Sequence, residues 1–146
     1  MPVQFTNLLA AIDGSEGGWR ALDVAIAMTK AAGGSLAVIT VGVALSAMEL
    51  AEFRRAEGEE TDASEVFAER LLAEARRRVD RAAGKPARML LRWGDPAEAI
   101  INTIAEERFD AIVVGRRGRG QLAGLLLGSV SQKLASLAPC MVVVVP

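Results

Sequence analysis

Apolar residues in this chain fall into short runs separated by longer stretches in which they recur every three or four positions. Five runs read as strands: Asn7–Ile12, Leu36–Val41, Ala87–Leu91, Ala111–Val114 and Cys140–Val145. The second, fourth and fifth are rich in β-branched residues, as strands buried on both faces tend to be. Between the runs the period changes. Trp19–Lys30 carries Ala21, Leu22, Ala25, Ile26 and Thr29 on one stripe. A long helix is predicted from near Asp62, with Glu65 placed to complete a capping box. Phe67, Leu71, Ala75 and Val79 give that helix an apolar face, and Glu74 and Arg78 stand opposite in the favourable i,i+4 order. In the stretch DPAEAI, Asp95 is an N-cap, Pro96 suits the first helical position and Glu98 the first turn, and Ile100, Ile101 and Ile104 then face inward. Strands alternating with helices predict parallel βαβ crossovers and a three-layer α/β sandwich. Leu45–Thr61 shows no such order, and is expected to be a mobile helix-loop without chemistry.

The stretch Gly115–Gln132, GRRGRGQLAGLLLGSVSQ, departs from this alternation. It leaves the carboxyl end of the run Ala111–Val114 and enters a helix that starts at Gly128-Ser129-Val130-Ser131 and carries Leu134 and Leu137. In open α/β sheets that end of a strand is where ligands bind. A helix N-terminus there offers unpaired N–H groups and a positive dipole end, both suited to phosphate. Ser129 and Ser131 add hydroxyls, and Arg116, Arg117 and Arg119 add charge. Two phosphate motifs fail against these residues. A Walker loop needs GxxxxGK[ST], yet no lysine precedes Ser129. The dinucleotide fingerprint GxGxxG would need Gly124 one residue earlier.

Composition narrows the partners. The 146 residues are 51% hydrophobic with a formal net charge of −1, which suits one domain, residues 1–146, and offers no basic field for nucleic acid or an anionic membrane. GRRGRG lacks the interleaved aromatics of an RNA-binding segment. The uncharged run Ala31–Met48 is divided by Gly33, Gly34, Ser35, Thr40, Gly42 and Ser46 and is too short to span a bilayer. MPVQFTNLL has neither the charged start nor the apolar core of a signal peptide. Cys140 is the one cysteine, so no intrachain disulfide forms. A cytoplasmic location is expected.

The spacing that fits is Gly115-x2-Gly118-x9-Gly128-Ser129. With it the chain resembles the universal stress protein family, in the nucleotide-binding branch whose signature is G-x2-G-x9-G-[ST]. NLLAAIDGSE, WGDPAEAI, FDAIVVGRRGRG, LLGSVSQKL and LAPCMVVVV match the family's segments in order, over nearly the whole chain. The resemblance implies a Rossmann-like, five-stranded parallel sheet of order 3-2-1-4-5, like that of the adenine nucleotide alpha hydrolases. It also implies a site for ATP, ADP or AMP. In that site Asp13 would hold the ribose or reach a phosphate-bound Mg²⁺. Val41 would present its backbone to the adenine, and Gly115, Gly118 and Gly128 would let the chain close around phosphates. Ser129, Val130 and Ser131 would donate hydrogen bonds to those phosphates. The resemblance further implies a homodimer through the edge strand Cys140–Val145, whose apolar edge seeks a partner.

Several residues keep a second reading. Arg116 stands where the family often has a small hydroxyl residue, and either touches phosphate or faces solvent. Asp13 could instead organise the Asp-Gly turn. Gly17-Gly18 costs about 1 kcal/mol per glycine if both are helical and is expected to loosen the wall beside Asp13. Trp19 and Trp93 read as packing residues, Trp93 alternatively as part of the crevice mouth. With no histidine in the chain the commonest general base is missing, so at most slow ATP hydrolysis is expected. Stress regulation or protection through bound nucleotide leads; a slow ATPase and a dimeric interaction protein are the alternatives.

Overall fold

A computed structural model describes residues 4–43, 45–58, 62–82, 84–118 and 127–146. In chain order the elements are β1 (Asn7–Ala11), α1 (Glu16–Ala32), β2 (Ser35–Gly42), α2 (Ala47–Glu57), α3 (Ala63–Arg81), β3 (Arg88–Trp93), α4 (Pro96–Glu107), β4 (Ala111–Gly115), α5 (Ser129–Leu137) and β5 (Met141–Val145). The five strands form one parallel sheet of order β3-β2-β1-β4-β5.

The period-2 alternation of β1 shows why both faces are apolar. Leu8 and Ala10 point into a cluster with Leu22, Ala25, Ala75 and Val79 from α1 and α3. Leu9 and Ala11 point the other way, onto Ile100, Ile104 and Leu134 from α4 and α5. Leu8, Leu9, Leu22 and Leu134 are fully buried, each stabilising the fold by about 1.5–3 kcal/mol relative to an exposed side chain. Leu137 lies on α5 with Leu134, as expected, and is 64% exposed.

The helix starts follow their caps. Asp62 accepts from the Glu65 N–H at 3.3 Å, and Asp95 from the Glu98 N–H at 3.0 Å with Pro96 behind it. Glu74 pairs with Arg78 at 3.1 Å and also meets Arg77 and Arg81. Those hydrogen bonds hold its carboxyl below the usual range, Arg77 contributing most. α1 begins three residues earlier than the apolar stripe predicts, because Ser15 caps it by accepting from the Gly18 N–H at 3.1 Å. Leu45–Thr61 contains a well-defined helix, α2, where a mobile helix-loop was expected. Ser46 and Glu49 make a reciprocal capping box at its start. α2 buries none of its described side chains and packs only lightly, against α3.

At the amino-terminal edge of the sheet, the Asp110 carboxylate accepts from the Thr6 hydroxyl and N–H and from the Asn7 N–H at 2.7–2.8 Å. These bonds, the Thr6 hydroxyl foremost, hold its pKa down. A depressed carboxyl pKa contributes stability above its unfolded value, near 4, and loses it as pH falls through the folded value. Because the group is solvent-facing, Asp110→Ala is expected to cost only about 1 kcal/mol at pH 7. In urea unfolding the difference from the unmodified chain should shrink toward pH 3; an undiminished difference at pH 3 would assign the cost to packing. No helix among the described residues is long and apolar enough to cross a membrane.

Candidate functional site

The strand order reverses between β1 and β4, so the loops leaving their carboxyl ends diverge and open a crevice. A cavity of about 220 Å³ lies there. Its apolar walls are Ile39 and Val41 from β2, Phe67 and Leu71 from α3, and Pro96 and Ile100 from α4. Its polar end is built from Asp13, Arg117 and the start of α5.

That polar end depends on main chain more than on side chains. Gly128 is the N-cap of α5, with no side-chain cap, and the first helical hydrogen bond runs from the Gln132 N–H to the Gly128 carbonyl at 3.0 Å. The N–H groups of Ser129, Val130 and Ser131 therefore have no intrahelical partner, and all three residues line the cavity. Three donors at the positive end of a helix dipole form a site for an anion. The Arg116 carbonyl accepts both the Gly128 N–H at 2.8 Å and the Ser131 hydroxyl at 2.7 Å. The two ends of the long glycine segment are thereby tied together, and the Arg116 N–H anchors them to the Val145 carbonyl at 2.7 Å.

The glycines are bare because neighbours fill the space beside them. A Cβ on Gly115 would stand 2.7 Å from the Gly17 carbonyl carbon, and one on Gly128 would stand 3.3 Å from the Arg117 Cα. One on Gly118 would overlap Asp13 Oδ2. Asp13 meanwhile accepts the Ser15 N–H at 3.0 Å and hydroxyl at 2.5 Å through Oδ1, across a turn in which Gly14 has φ +89°. Asp13 thus organises the Asp-Gly turn and also lines the cavity.

Of the residues singled out from sequence, Asp13, Val41, Gly115, Gly118, Gly128, Ser129, Val130 and Ser131 converge on the cavity. Arg116 does not line it. Its Nε is buried with no hydrogen-bond partner among the described residues, and its main chain does the tethering. Among the described residues, the arginine in the wall is Arg117. Ser131 is 2% exposed, and its hydroxyl proton is shared between the Arg116 and Gly128 carbonyls, which leaves its N–H as the donor toward the cavity. Arg119, Gly120 and Gly124 lie outside the described residues. Trp93 is 51% exposed, with its ring against Gly42, and it is not part of the cavity wall. Trp19 packs on the core beneath the Arg78 guanidinium, 4.4 Å from its ring centre. The apolar wall from α3 and α4 was not singled out, because Phe67, Leu71 and Ile100 carry the same i,i+4 signal as ordinary core.

The donor set separates the two groups that the resemblance implies. A bare glycine cradle facing three helix N–H groups fits a phosphate. For a divalent cation, among the described residues Asp13 is the one carboxylate in the wall and no cluster of three acidic, cysteine or histidine ligands occurs. A cation would have to share its ligands with a bound phosphate.

A parallel 3-2-1-4-5 sheet with a glycine-cradled helix N-terminus at its switch point defines a doubly wound α/β protein. The universal stress protein family model matches residues 4–146, and the chain belongs to that family. It is 37% identical to a universal stress protein of Thermus aquaticus, over 97% of this chain and 98% of the relative. It is 32% identical to the universal stress protein YxiE of Bacillus subtilis, over 97% and 99%. Among solved structures it is similar to a universal stress protein in complex with cAMP, at 27% identity and a TM-score of 0.72, with 97% of each chain covered.

Proposed function

We propose that this universal stress protein binds an adenine nucleotide, ATP or its products ADP and AMP, and acts as a stress-response regulatory or protective module in the cytoplasm. The observation that carries the reading is the start of α5, where three N–H groups with no intrahelical partner face a cavity whose wall includes Gly18, Gly115, Gly118 and Gly128. The related protein in complex with cAMP supports the adenine part of the reading. The phosphates would rest on Ser129, Val130 and Ser131, with Arg117 adding charge. The base would fill the apolar end between Val41, Phe67 and Ile100. Asp13 would sit beside the ribose, or beside a magnesium ion carried by the phosphates. No histidine is available as general base, and Asp13 Oδ1 is already engaged by Ser15, so hydrolysis is expected to be slow or absent.

A thermal-shift titration tests the reading. Nucleotide-stripped protein at a ligand concentration of a hundred times Kd should gain about 2.7 kcal/mol, a Tm rise of roughly 5–10 °C for a chain of this size. ATP, ADP, AMP and cAMP are compared with GTP. No shift with any adenine nucleotide at millimolar concentration would overturn the proposal.

A homodimer through β5 belongs to the same proposal. Met141 is 46% exposed and Val142, Val143 and Val144 are only partly covered, while Val145 is buried, on an edge with no further strand beside it among the described residues. Light scattering at high micromolar concentration should give twice the chain mass; a monomer there would remove the dimer and leave the nucleotide site untouched.

A further inference from the structure

Gly17 and Gly18 lie outside the glycine signature, in the first turn of α1, where glycine weakens a helix. Both are buried. A Cβ on Gly17 would stand 2.9 Å from the Arg117 carbonyl oxygen, which is main chain and cannot rotate away. A Cβ on Gly18 would stand 3.0 Å from Asp13 Oδ1 and 3.4 Å from both the Asp13 N and the Ser15 Oγ. From the opposite side, Gly115 meets the Gly17 carbonyl and the Gly18 N, and Gly118 meets Asp13 Oδ2. The bare turn of α1 and the bare loop after β4 therefore pack backbone to backbone, with the Asp13 carboxylate held between Gly18 and Gly118. Of these residues, Asp13, Gly18, Gly115, Arg117 and Gly118 line the cavity, whereas Gly17 does not.

We infer that Gly17 and Gly18 are positioning residues for the anion-binding loop: their missing side chains let the Gly115–Gly118 backbone and Asp13 settle into the cavity wall. Gly17 acts through Arg117, whose carbonyl rests on it, and Gly18 acts through Asp13. The inference rests on the proposed binding of an adenine nucleotide at this site. It also reverses the expectation that these glycines loosen the wall beside Asp13, because the contact they permit closes that wall.

The test is ATP affinity by calorimetry at 25 °C, where each variant is shown to be folded by circular dichroism, with Tm recorded alongside. Gly17→Ala is expected to weaken ATP at least tenfold. A glycine that mattered to the helix alone would behave differently, since alanine would raise Tm and leave Kd unchanged. Glu16→Ala, in the same turn with its side chain 94% exposed, should bind as the unmodified chain does. If Gly17→Ala does not fold, Gly18→Ala, whose added carbon meets gentler contacts, carries the same tenfold expectation. ATP affinity within twofold of the unmodified protein in the folded variant would overturn the inference. Absence of ATP binding to the unmodified protein would instead overturn the functional proposal on which it rests.

Discussion

Alanine at Gly115 is expected to abolish measurable nucleotide binding and to lower stability by about 1–3 kcal/mol, the usual cost of overpacking. The added carbon would lie 2.7 Å from the Gly17 carbonyl carbon, 2.9 Å from its oxygen and 3.1 Å from the Gly18 nitrogen. All three are main-chain atoms, so no rotamer relieves the clash and an element must move. β4 is poorly able to yield, since Gly115 pairs with Val145 and the next N–H donates to the Val145 carbonyl at 2.7 Å. The movement falls on the first turn of α1 or on the loop after Gly115, and either displaces the cavity wall. Urea unfolding reads the stability, and titration with ATP reads the site. Retention of wild-type affinity would show that the loop takes no part in binding.

The second large effect is expected at Leu134, fully buried on α5 in the cluster formed with Leu9 and Ile112 of the sheet and Ile104 of α4. Leu134→Ala removes a fully packed side chain and should cost about 2–5 kcal/mol, a fall in Tm of roughly 10 °C. Its consequence for function differs from that of Gly115→Ala. Leu134 seats the helix whose first three N–H groups face the cavity, while the glycine cradle itself is untouched. Below its lowered Tm the variant should still bind ATP, a few-fold more weakly. Calorimetry at 15 °C with scanning calorimetry checks both values, and a cost under 1 kcal/mol would mean that α5 repacks freely.

Where local chemistry decides an element, the sequence alone was sufficient. Asp95, Pro96 and Glu98 state the start of α4 in three preferences within four residues, and the β-branched runs of β2 and β4 state their burial on two faces, whereas the equally β-branched β5 is an edge strand and only partly buried. The Gly115-x2-Gly118-x9-Gly128 spacing was legible as a pattern. Its physical reason was not, because it lies in the Arg116 carbonyl bridging Gly128 and Ser131 and in glycine-to-glycine contact across the crevice. Gly17 and Gly18 were misread for the same cause. Read locally they are poor helix formers, and only the β4 loop, distant in sequence, shows what their bareness admits. Arg116 and Arg117 are adjacent, and no periodicity indicates which of them reaches the cavity. The bounds of α2 within the expected helix-loop were not legible because it has no apolar stripe to betray it, although Ser46-Ala47-Met48-Glu49 carries a capping-box pattern that could have marked its start. The apolar cavity wall was hidden in a different way, since Phe67 and Leu71 obey the same spacing as Ala75 and Val79, and only their place beyond the end of β1 turns them from core into wall.

The most direct test of the central claim is to denature protein purified without added ligand, identify the released nucleotides by chromatography and mass spectrometry, and titrate the stripped protein with whatever is found. The account expects an adenine nucleotide approaching one per chain, rebinding to the stripped protein and lost in Gly115→Ala. Protein that releases no nucleotide, and that binds none of ATP, ADP, AMP or cAMP on titration, would contradict it.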